Sequence, residues 1–294
     1  MKQRIRYVLA QLVARFILLF FSRGVRRRAL KGEFILSIYF HDPSKELFQF
    51  CVSWLVRNGF RVLSEREMLK VFNNEIEFPK GCVVITVDDG WKGNEENIVA
   101  VANAYRIPVT IFVSCEPVEK GNYWWSYIPH ANSDMEQHWD VERLKRIPNG
   151  ERNNICSGIK KRVLLSRDAL TIGQVKQISE RDGITIGSHT VTHPILPMCT
   201  DKESQEEIFT SKKVIERWIK KPVVSFAYPN GDYGEREIQY LKDAGYRMAF
   251  TTNPKYVRRQ EINRIYEVPR FEVIENISKS EAVCRMLGLW QRFI

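Results

Sequence analysis

The sequence predicts an α/β protein built on a parallel β-sheet, either a barrel or a doubly wound sheet. Short apolar runs alternate with amphipathic stretches of helical length between residues 34 and 273, the pattern of strands joined by crossover helices. The 294 residues, 44% of them hydrophobic, are enough for one barrel-sized domain with a substantial core. Composition and periodicity therefore exclude a disordered or fibrous chain.

The predicted strands are short apolar runs rich in β-branched and aromatic residues and bounded by Gly or Pro. In chain order they are Phe34–Phe40, Cys82–Val87, Val109–Cys115, Ile184–Ser188, Val223–Tyr228, Tyr246–Thr251 and Glu267–Val273. Helical periodicity separates them, and two of the helices stop at a glycine. The predicted helices are Ser44–Asn58, Asn94–Arg106, Lys202–Lys220 and Glu235–Ala244.

The formal charge of +10 is concentrated at the amino terminus. Residues 1–31 carry nine basic side chains and no acidic one, so the remaining chain has a charge of 36 − 35 = +1. A nearly neutral body argues against a nucleic-acid-binding surface, and we expect no nucleic-acid partner.

Residues 1–31 are predicted to form a basic amphipathic helix in a membrane interface, followed by one domain over residues 32–294. Tyr7–Phe21 is apolar except for Gln11 and Arg15, which is short for a membrane span. On a helix, polar Arg4, Gln11, Arg15 and Ser22 share one stripe, opposite Ile5, Leu9, Leu12, Phe16, Leu19 and Phe20. A helix packed on its own domain, a signal peptide and a span remain the alternatives.

The six cysteines, at positions 51, 82, 115, 156, 199 and 284, form no CxxC pair and no zinc-finger spacing. A reducing compartment is the simpler interpretation, although an even number is compatible with disulfides. Together with the basic helix, this predicts a cytoplasmic protein bound peripherally to the inner face of the membrane, rather than an exported one.

An insertion at about residues 116–170 interrupts the alternation of strands and helices. It carries an aromatic cluster that includes Trp124 and Trp125. Long insertions in compact domains are usually functional loops or disorder. The aromatic side chains could stack on sugar rings or form a small core under the loop.

Three motifs lie just past the ends of predicted strands, where parallel α/β folds place their active sites. They are Thr86-Val87-Asp88-Asp89-Gly90, Ser188-His189-Thr190-Val191-Thr192-His193-Pro194 and Phe226-Ala227-Tyr228-Pro229-Asn230-Gly231. Each motif alone is compatible with an ordinary turn. Together they offer one carboxylate and two imidazoles, the three-ligand set of catalytic zinc sites. We expect the two histidines, four residues apart, to meet on a helical turn.

These motifs resemble the first three motifs of the polysaccharide deacetylases, the NodB-homology or carbohydrate esterase family 4 enzymes. The resemblance covers about residues 34–273, apart from most of the insertion at 116–170, and implies a distorted (β/α) barrel of about seven strands. It implies that Asp89, His189 and His193 bind one divalent ion, zinc or a similar metal, and that Asp88 is the catalytic base. The implied activity is metal-dependent removal of acetyl groups from sugars.

The third motif departs from the family pattern. Its usual arginine, which orients the base, is replaced by Ala227, and its tyrosine, whose backbone N–H helps to form the oxyanion hole, by Asn230. We expect Tyr228, Pro229 and Asn230 to form the oxyanion side of the site and Trp124, Trp125 and Arg270 to contribute to substrate binding.

The general acid is predicted to be His41. Many family members supply this acid from a carboxy-terminal Leu-x-His motif, yet this chain has no histidine after His193. Of the others, His130 and His138 lie in the insertion, whereas His41 ends the first predicted strand. It resembles the histidine of deacetylases with permuted motifs, such as those acting on biofilm poly-N-acetylglucosamine, and imidazole suits proton delivery near neutral pH.

The expected function is removal of an N-acyl group from an amino sugar of a polysaccharide or lipid-linked glycan at a membrane surface. Two alternatives remain: a hydrolase of a non-sugar amide, since related barrels cleave other C–N bonds, and a non-catalytic glycan-binding relative.

Overall fold

The computed structural model describes residues 2–131 and 139–293 and contains one parallel sheet. Its strands lie in the spatial order β7-β6-β5-β4-β3-β1-β8, and the short β2 pairs with the beginning of β3. The strands are β1 Leu36–Phe40, β2 Arg61–Val62, β3 Cys82–Val87, β4 Val109–Val113, β5 Ile184–Ser188, β6 Ser225–Ala227, β7 Met248–Phe250 and β8 Phe271–Glu272. The seven predicted strands are all present, most of them shorter than expected.

The sheet curls because one segment pairs with both of its edges. Val268 forms a parallel bridge with Phe250 of β7, and three residues later β8 pairs with Ile38 and Tyr39 of β1. A doubly wound sheet would leave these edges apart. The predicted fold, a distorted (β/α) barrel, is therefore confirmed.

Helices cover the outside of the sheet, and several begin at a side-chain cap. Ser44, Thr171, Thr200 and Ser278 each accept a hydrogen bond from a backbone N–H in the first turn. The helices are α1 Lys2–Leu30, α2 Lys45–Arg57, α3 Glu65–Phe72, α4 Ala100–Tyr105, α5 Cys115–Lys120, α6 Ile128–Ala131, α7 Val141–Leu144, α8 Asn149–Lys160, α9 Ile172–Ser179, α10 Asp201–Ile219, α11 Glu235–Asp243, α12 Lys279–Met286 and α13 Trp290–Phe293.

Outside the insertion, sequence patterning missed β2, α3, α9, α12 and the short terminal helix α13. Three of these are helices of eight residues, too short for a clear period. The predicted helix over 94–106 begins instead as a π-helical turn, Glu95–Val99, before α4.

Helix α1 packs on the domain along one face and exposes an apolar face on the opposite side. Ala14, Ile17, Val25 and Ala29 are buried. The thiol of Cys284 in α12 donates to the carbonyl of Ala14, and Gly81 donates to that of Ala29. The opposite side consists of Val8, Leu9, Leu12, Val13, Phe16, Leu19 and Phe20, all of which are exposed.

One helix in the described part of the chain is long and apolar enough to cross a membrane. Within Arg6–Leu30, an 18-residue window reaches a mean hydropathy of 1.7, and 17% of that window is buried in the protein.

The insertion folds as a helical layer with its own small core. Helices α5 to α8 and a 3₁₀ turn at Trp124–Tyr127 enclose Trp124, Ile128, Trp139, Leu144, Cys156 and Ile159. Part of the predicted insertion, residues 132–138, lies outside the described residues. All six cysteines are buried free thiols.

Candidate active site

The predicted catalytic residues line one cavity of about 590 Å³ at the carboxyl ends of the strands. Asp88 and Asp89 follow β3, His41 follows β1 and His189 follows β5. Parallel strands end at the same edge of the sheet, so residues far apart in sequence converge there. The lining consists of Tyr39, His41, Asp88, Asp89, Trp91, Trp124, Trp125, Val141, Lys145, His189, His193, Asn230, Thr252 and Glu272.

Asp89, His189 and His193 have the spacing of three ligands to one metal ion. The Asp89 Oδ1 atom lies 3.4 Å from Nε2 of His189 and 3.3 Å from Nε2 of His193. Two ligands about 2.05 Å from a tetrahedral zinc ion would stand about 3.3 Å apart. All three side chains are buried, and Asp89 Oδ1 has no hydrogen-bond partner among the described residues. A buried oxygen left without a donor is costly, which a bound cation would relieve.

The pKa shifts of Asp89 and His193 agree with metal binding, whereas the pKa of His189 is raised, because its contact with Asp89 outweighs the effect of burial. Burial alone would raise the pKa of Asp89, but the adjacent His189 and His193 imidazoles hold it well below its usual range. Burial lowers the pKa of His193 to about 4. A carboxylate beside a neutral imidazole is the form in which these side chains bind metals.

Hydrogen bonds orient the side chains of the candidate metal ligands His189 and Asp89. The Nδ1 atom of His189 lies 2.7 Å from the carbonyl oxygen of Ala227. Since a carbonyl only accepts, Nδ1 carries the proton and Nε2 is left with its lone pair toward Asp89. Trp91 Nε1 donates to the second carboxylate oxygen of Asp89 at 2.8 Å.

His193 reaches the site from a loop, so the expectation of a shared helical turn is wrong. Its φ of +56° and that of Thr190, +69°, are left-handed, which interrupts any helix between the two histidines. The loop is held by Glu207 of α10, which accepts from the backbone N–H groups of Val191 and Thr192 at 2.7 and 2.9 Å. Trp124 Nε1 donates to the carbonyl of His193 at 3.0 Å.

Arg270 supplies the guanidinium that is missing at position 227. Its Nη1 and Nη2 atoms donate to Oδ1 and Oδ2 of Asp88 at 2.7 and 2.8 Å. The side chain is fully buried and also donates to Thr86 Oγ1 and to the carbonyl of Thr251. Arg270 therefore lies behind Asp88 and outside the cavity lining, where it holds the carboxylate rather than contacting a substrate.

His41 lies at the open side of the cavity, with 42% of its side chain exposed. Its Nδ1 atom is 3.5 Å from Oε1 of Glu272. His130 is exposed and does not line the cavity, and His138 lies outside the described residues. Among the described histidines, His41 is thus the one in the cavity besides the two ligand candidates.

The other predicted binding residues are divided between cavity and core. Asn230 lines the cavity in a turn with φ +59°. Tyr228 and Pro229 do not line it: the Tyr228 side chain is buried, and its hydroxyl donates to the carbonyl of Tyr266. In the insertion, Trp124 and Trp125 both line the cavity, and the ring centroid of Trp125 lies 4.5 Å from that of His193. Trp124 also belongs to the small core of the insertion, as one of the two interpretations predicted. Stacking of these rings on a sugar stays a prediction.

Sequence reasoning missed Glu272, Glu207, Trp91 and Lys145. Glu272 could have been found, because Arg270 and Glu272 are two residues apart in a predicted strand and so face the same side. The other three depend on how separate elements pack, which no local pattern shows.

Comparisons with known proteins agree with the geometry. The family model described as polysaccharide deacetylase matches residues 75–249. YxkH of Bacillus subtilis, a protein carrying that family's name, is 25% identical over 238 residues, covering 81% of this chain and 67% of its own. The poly-β-1,6-N-acetyl-D-glucosamine N-deacetylase of Staphylococcus aureus is 21% identical over 266 residues, covering 85% and 77%.

Solved structures show the same fold. The deacetylase PplD of Streptococcus pyogenes superposes with a TM-score of 0.61 at 18% identity, covering 86% of this chain and 96% of its own. IcaB from Ammonifex degensii also gives 0.61, at 16% identity with 87% and 97% covered.

Proposed function

This chain belongs to the polysaccharide deacetylase family, and from that premise we propose that it is a metal-dependent hydrolase that removes N-acetyl groups from an amino-sugar glycan. The observation that carries the proposal is the convergence of Asp88, Asp89, His189, His193 and His41 on one cavity, with three of them at metal-ligand spacing. The names of relatives that act on poly-N-acetylglucosamine support the substrate class.

Asp89, His189 and His193 would hold the metal, for which zinc is our first candidate. When bound, a divalent cation polarises a carbonyl and makes a water molecule more acidic. The family's dependence on a metal agrees with the unpartnered Asp89 oxygen.

Two side chains of the protein carry out the proton transfers, Asp88 as the base and His41 as the acid. Asp88, held in place by its ion pair with Arg270, accepts a proton from the attacking water, whose oxygen adds to the acyl carbon. The backbone N–H of Asn230 is placed as a donor to the resulting oxyanion. His41 delivers a proton to the sugar nitrogen as the C–N bond breaks, which yields acetate and a free amine.

Acetate release from N-acetylglucosamine oligomers by the zinc-loaded protein tests this function. We expect Asp88→Asn to keep its metal and lose at least about 100-fold in kcat/KM, the scale of a missing general base. A fully active Asp88→Asn variant would refute the base assignment. Cleavage of cyclic amides but not of acetylated sugars would favour a non-sugar hydrolase. Glycan binding without acetate release would favour a non-catalytic relative.

The glycan acceptor that we propose lies at a membrane surface, as a lipid-linked or membrane-assembled intermediate. The exposed apolar face of α1 is followed by basic Arg23, Arg26, Arg27 and Arg28, which suits anionic head groups. The domain contacts at Ala14, Ile17 and Ala29 support a helix lying along the interface, because a spanning helix would have to leave them. A peripheral position on the cytoplasmic face would suit this basic flank.

A further inference from the structure

We propose that Trp124 is a positioning residue for the metal ligand His193, and that the insertion thereby completes the metal site. This inference rests on the metal-binding part of the proposed function. Trp124 opens the 3₁₀ turn of the insertion, and its side chain is 5% exposed. Its indole Nε1 donates to the carbonyl oxygen of His193 at 3.0 Å. The residue therefore contacts the backbone of a candidate ligand in addition to lining the cavity.

The two candidate imidazole ligands are held in different ways. Nδ1 of His189 lies 2.7 Å from the carbonyl oxygen of Ala227 in β6, so the sheet orients that ring. Nδ1 of His193 is buried and has no hydrogen-bond partner among the described residues. Imidazoles that bind metals are usually oriented by a hydrogen bond at the other ring nitrogen. Because His193 lacks this hydrogen bond, its orientation depends on what holds its backbone and what packs against its ring.

Two adjacent residues of the insertion supply both of these contacts to His193. Its φ of +56° is left-handed, a conformation that is unfavourable for a residue with a side chain and needs support from its surroundings. Its backbone N–H donates within the loop to Thr190 Oγ1 at 3.1 Å, whereas its carbonyl accepts from Trp124. The ring of Trp125 packs edge-to-face against the imidazole, at an interplanar angle of 67°. The backbone and the ring of His193 are thus both contacted from the insertion.

Arg152 of α8 holds the indole of Trp124 in place. Its guanidinium carbon lies 4.9 Å from the centre of the Trp124 ring, and the arginine side chain is buried. A cation over the face of an indole is an attractive contact that is stronger away from water. Arg152 Nη2 donates to Asn149 Oδ1 at 2.5 Å, and Asn149 Nδ2 donates to Glu203 Oε1 of α10 at 2.9 Å. The insertion is therefore tied to α10, the helix that carries Glu207 and holds the same histidine loop.

Trp124→Phe tests the proposal, because it removes the N–H donor and keeps an aromatic ring in the small core. We expect the affinity for zinc to fall about 10-fold, the usual effect of losing a group that holds a ligand. Competition with a chromophoric chelator measures this affinity without substrate. With cobalt(II) in place of zinc, the visible absorption spectrum should also change, because it depends on the arrangement of the ligands. If Trp124 contacts sugar and nothing else, KM for acetylated oligomers should change while zinc affinity and the cobalt spectrum stay as in wild type.

Trp139→Phe is the matched control. Trp139 is buried in the same small core and does not line the cavity. Both variants exchange a buried indole for a smaller ring, so urea unfolding of the metal-free proteins should show a similar loss of stability. Trp124→Phe should lose zinc affinity and Trp139→Phe should keep it. Equal affinities in the two variants, whether unchanged or lowered together, would refute the positioning role of Trp124.

The failure of this inference can be told apart from the failure of the proposed function. If wild-type protein binds zinc but releases no acetate, the proposed function fails, and the comparison of zinc affinities still decides the role of Trp124. If wild type is active and Trp124→Phe binds zinc as tightly, the positioning role alone is refuted. If wild type binds neither zinc nor cobalt, both proposals are refuted.

Discussion

Both carboxylate oxygens of Asp88 are held by the guanidinium of Arg270, at 2.7 and 2.8 Å, although 182 residues separate the two in the chain. Both side chains are buried. A parallel, two-bond contact fixes the plane of the carboxylate as well as its charge. The proposed base is therefore oriented by the residue just before β8, and not from position 227, where this chain has alanine.

Arg270→Met should cost about 3 kcal/mol or more of unfolding free energy, because it leaves Asp88 buried without its partner. Activity should fall with it, since the base loses its orientation. Urea unfolding and acetate release measure the two effects. The double variant Asp88→Asn/Arg270→Met should be less destabilised than the sum of the singles. Arg264→Met, at an arginine with a 62% exposed side chain, is the control and should change neither measurement. Full activity in Arg270→Met would contradict the orienting role.

Glu207→Gln should weaken metal binding about 10-fold or more, the usual effect of losing a group that holds a ligand. The carboxylate accepts hydrogen bonds from two backbone N–H groups and from the Thr192 hydroxyl. The single amide oxygen of glutamine can accept only some of these hydrogen bonds. Competition with a chromophoric zinc chelator measures the affinity. The neighbouring Glu206, 64% exposed at its side chain, gives the matched control Glu206→Gln. Equal zinc affinity in the two variants would show that the loop between the histidines holds its shape without Glu207.

Ionisation of the buried Glu65 should lower the free energy of unfolding as the pH rises from about 4.5 to 7. Burial raises the pKa of this carboxyl from 4.5 to about 7. The folded state therefore binds the proton more tightly than the unfolded state, and this stabilisation is complete below pH 4.5 and is lost as pH rises through 7. The shift of about 2.5 units corresponds to about 3 kcal/mol.

Glu65→Gln removes this titration while keeping an acceptor for the Ser225 hydroxyl. Relative to wild type, the variant should gain about 3 kcal/mol of unfolding free energy between pH 4.5 and pH 8. Urea unfolding at the two pH values measures the gain. Glu77→Gln, at an exposed position, controls for the loss of one charge. A pH-independent difference between Glu65→Gln and wild type would show that this carboxyl does not titrate as proposed.

A triple variant in which serine replaces Leu12, Phe16 and Leu19 should no longer bind anionic vesicles, while its domain stays folded. These side chains are 55%, 64% and 74% exposed, so their removal takes little from the core. Cosedimentation with phosphatidylglycerol vesicles measures binding, and neutral phosphatidylcholine vesicles should bind less. Truncating residues 1–31 is a poorer experiment, because Ala14, Ile17, Val25 and Ala29 cover the domain. If the triple variant still binds vesicles, the apolar face of α1 is not what contacts the membrane. If wild-type protein is a dimer and the triple variant is a monomer, a second copy of the chain covers this face instead.

The motifs at the strand ends could be predicted from sequence because their chemistry is local. Asp88 and Asp89 follow a wholly buried strand, and His189 follows another short strand, so parallel topology alone places them at one edge. The apolar face of α1 was predictable for the same reason, since helical period determines which residues share a side. The same helix carries a second, smaller apolar face on the domain, and the sequence pattern did not reveal it. Two of its four buried residues are alanines, which give little hydrophobic signal.

The sequence by itself determined the strand order along the chain, the family resemblance, the three ligand candidates and the identity of His41 as the remaining histidine at a strand end. These follow from residue type and spacing within short windows. Only the tertiary structure decided which partners hold the catalytic groups: Arg270 on Asp88, Glu272 beside His41, and Glu207 under the histidine loop. The physical reason is the curl of the sheet, which brings β8 beside β1. It allows Asp88 and Arg270, 182 residues apart in the chain, to form a buried ion pair.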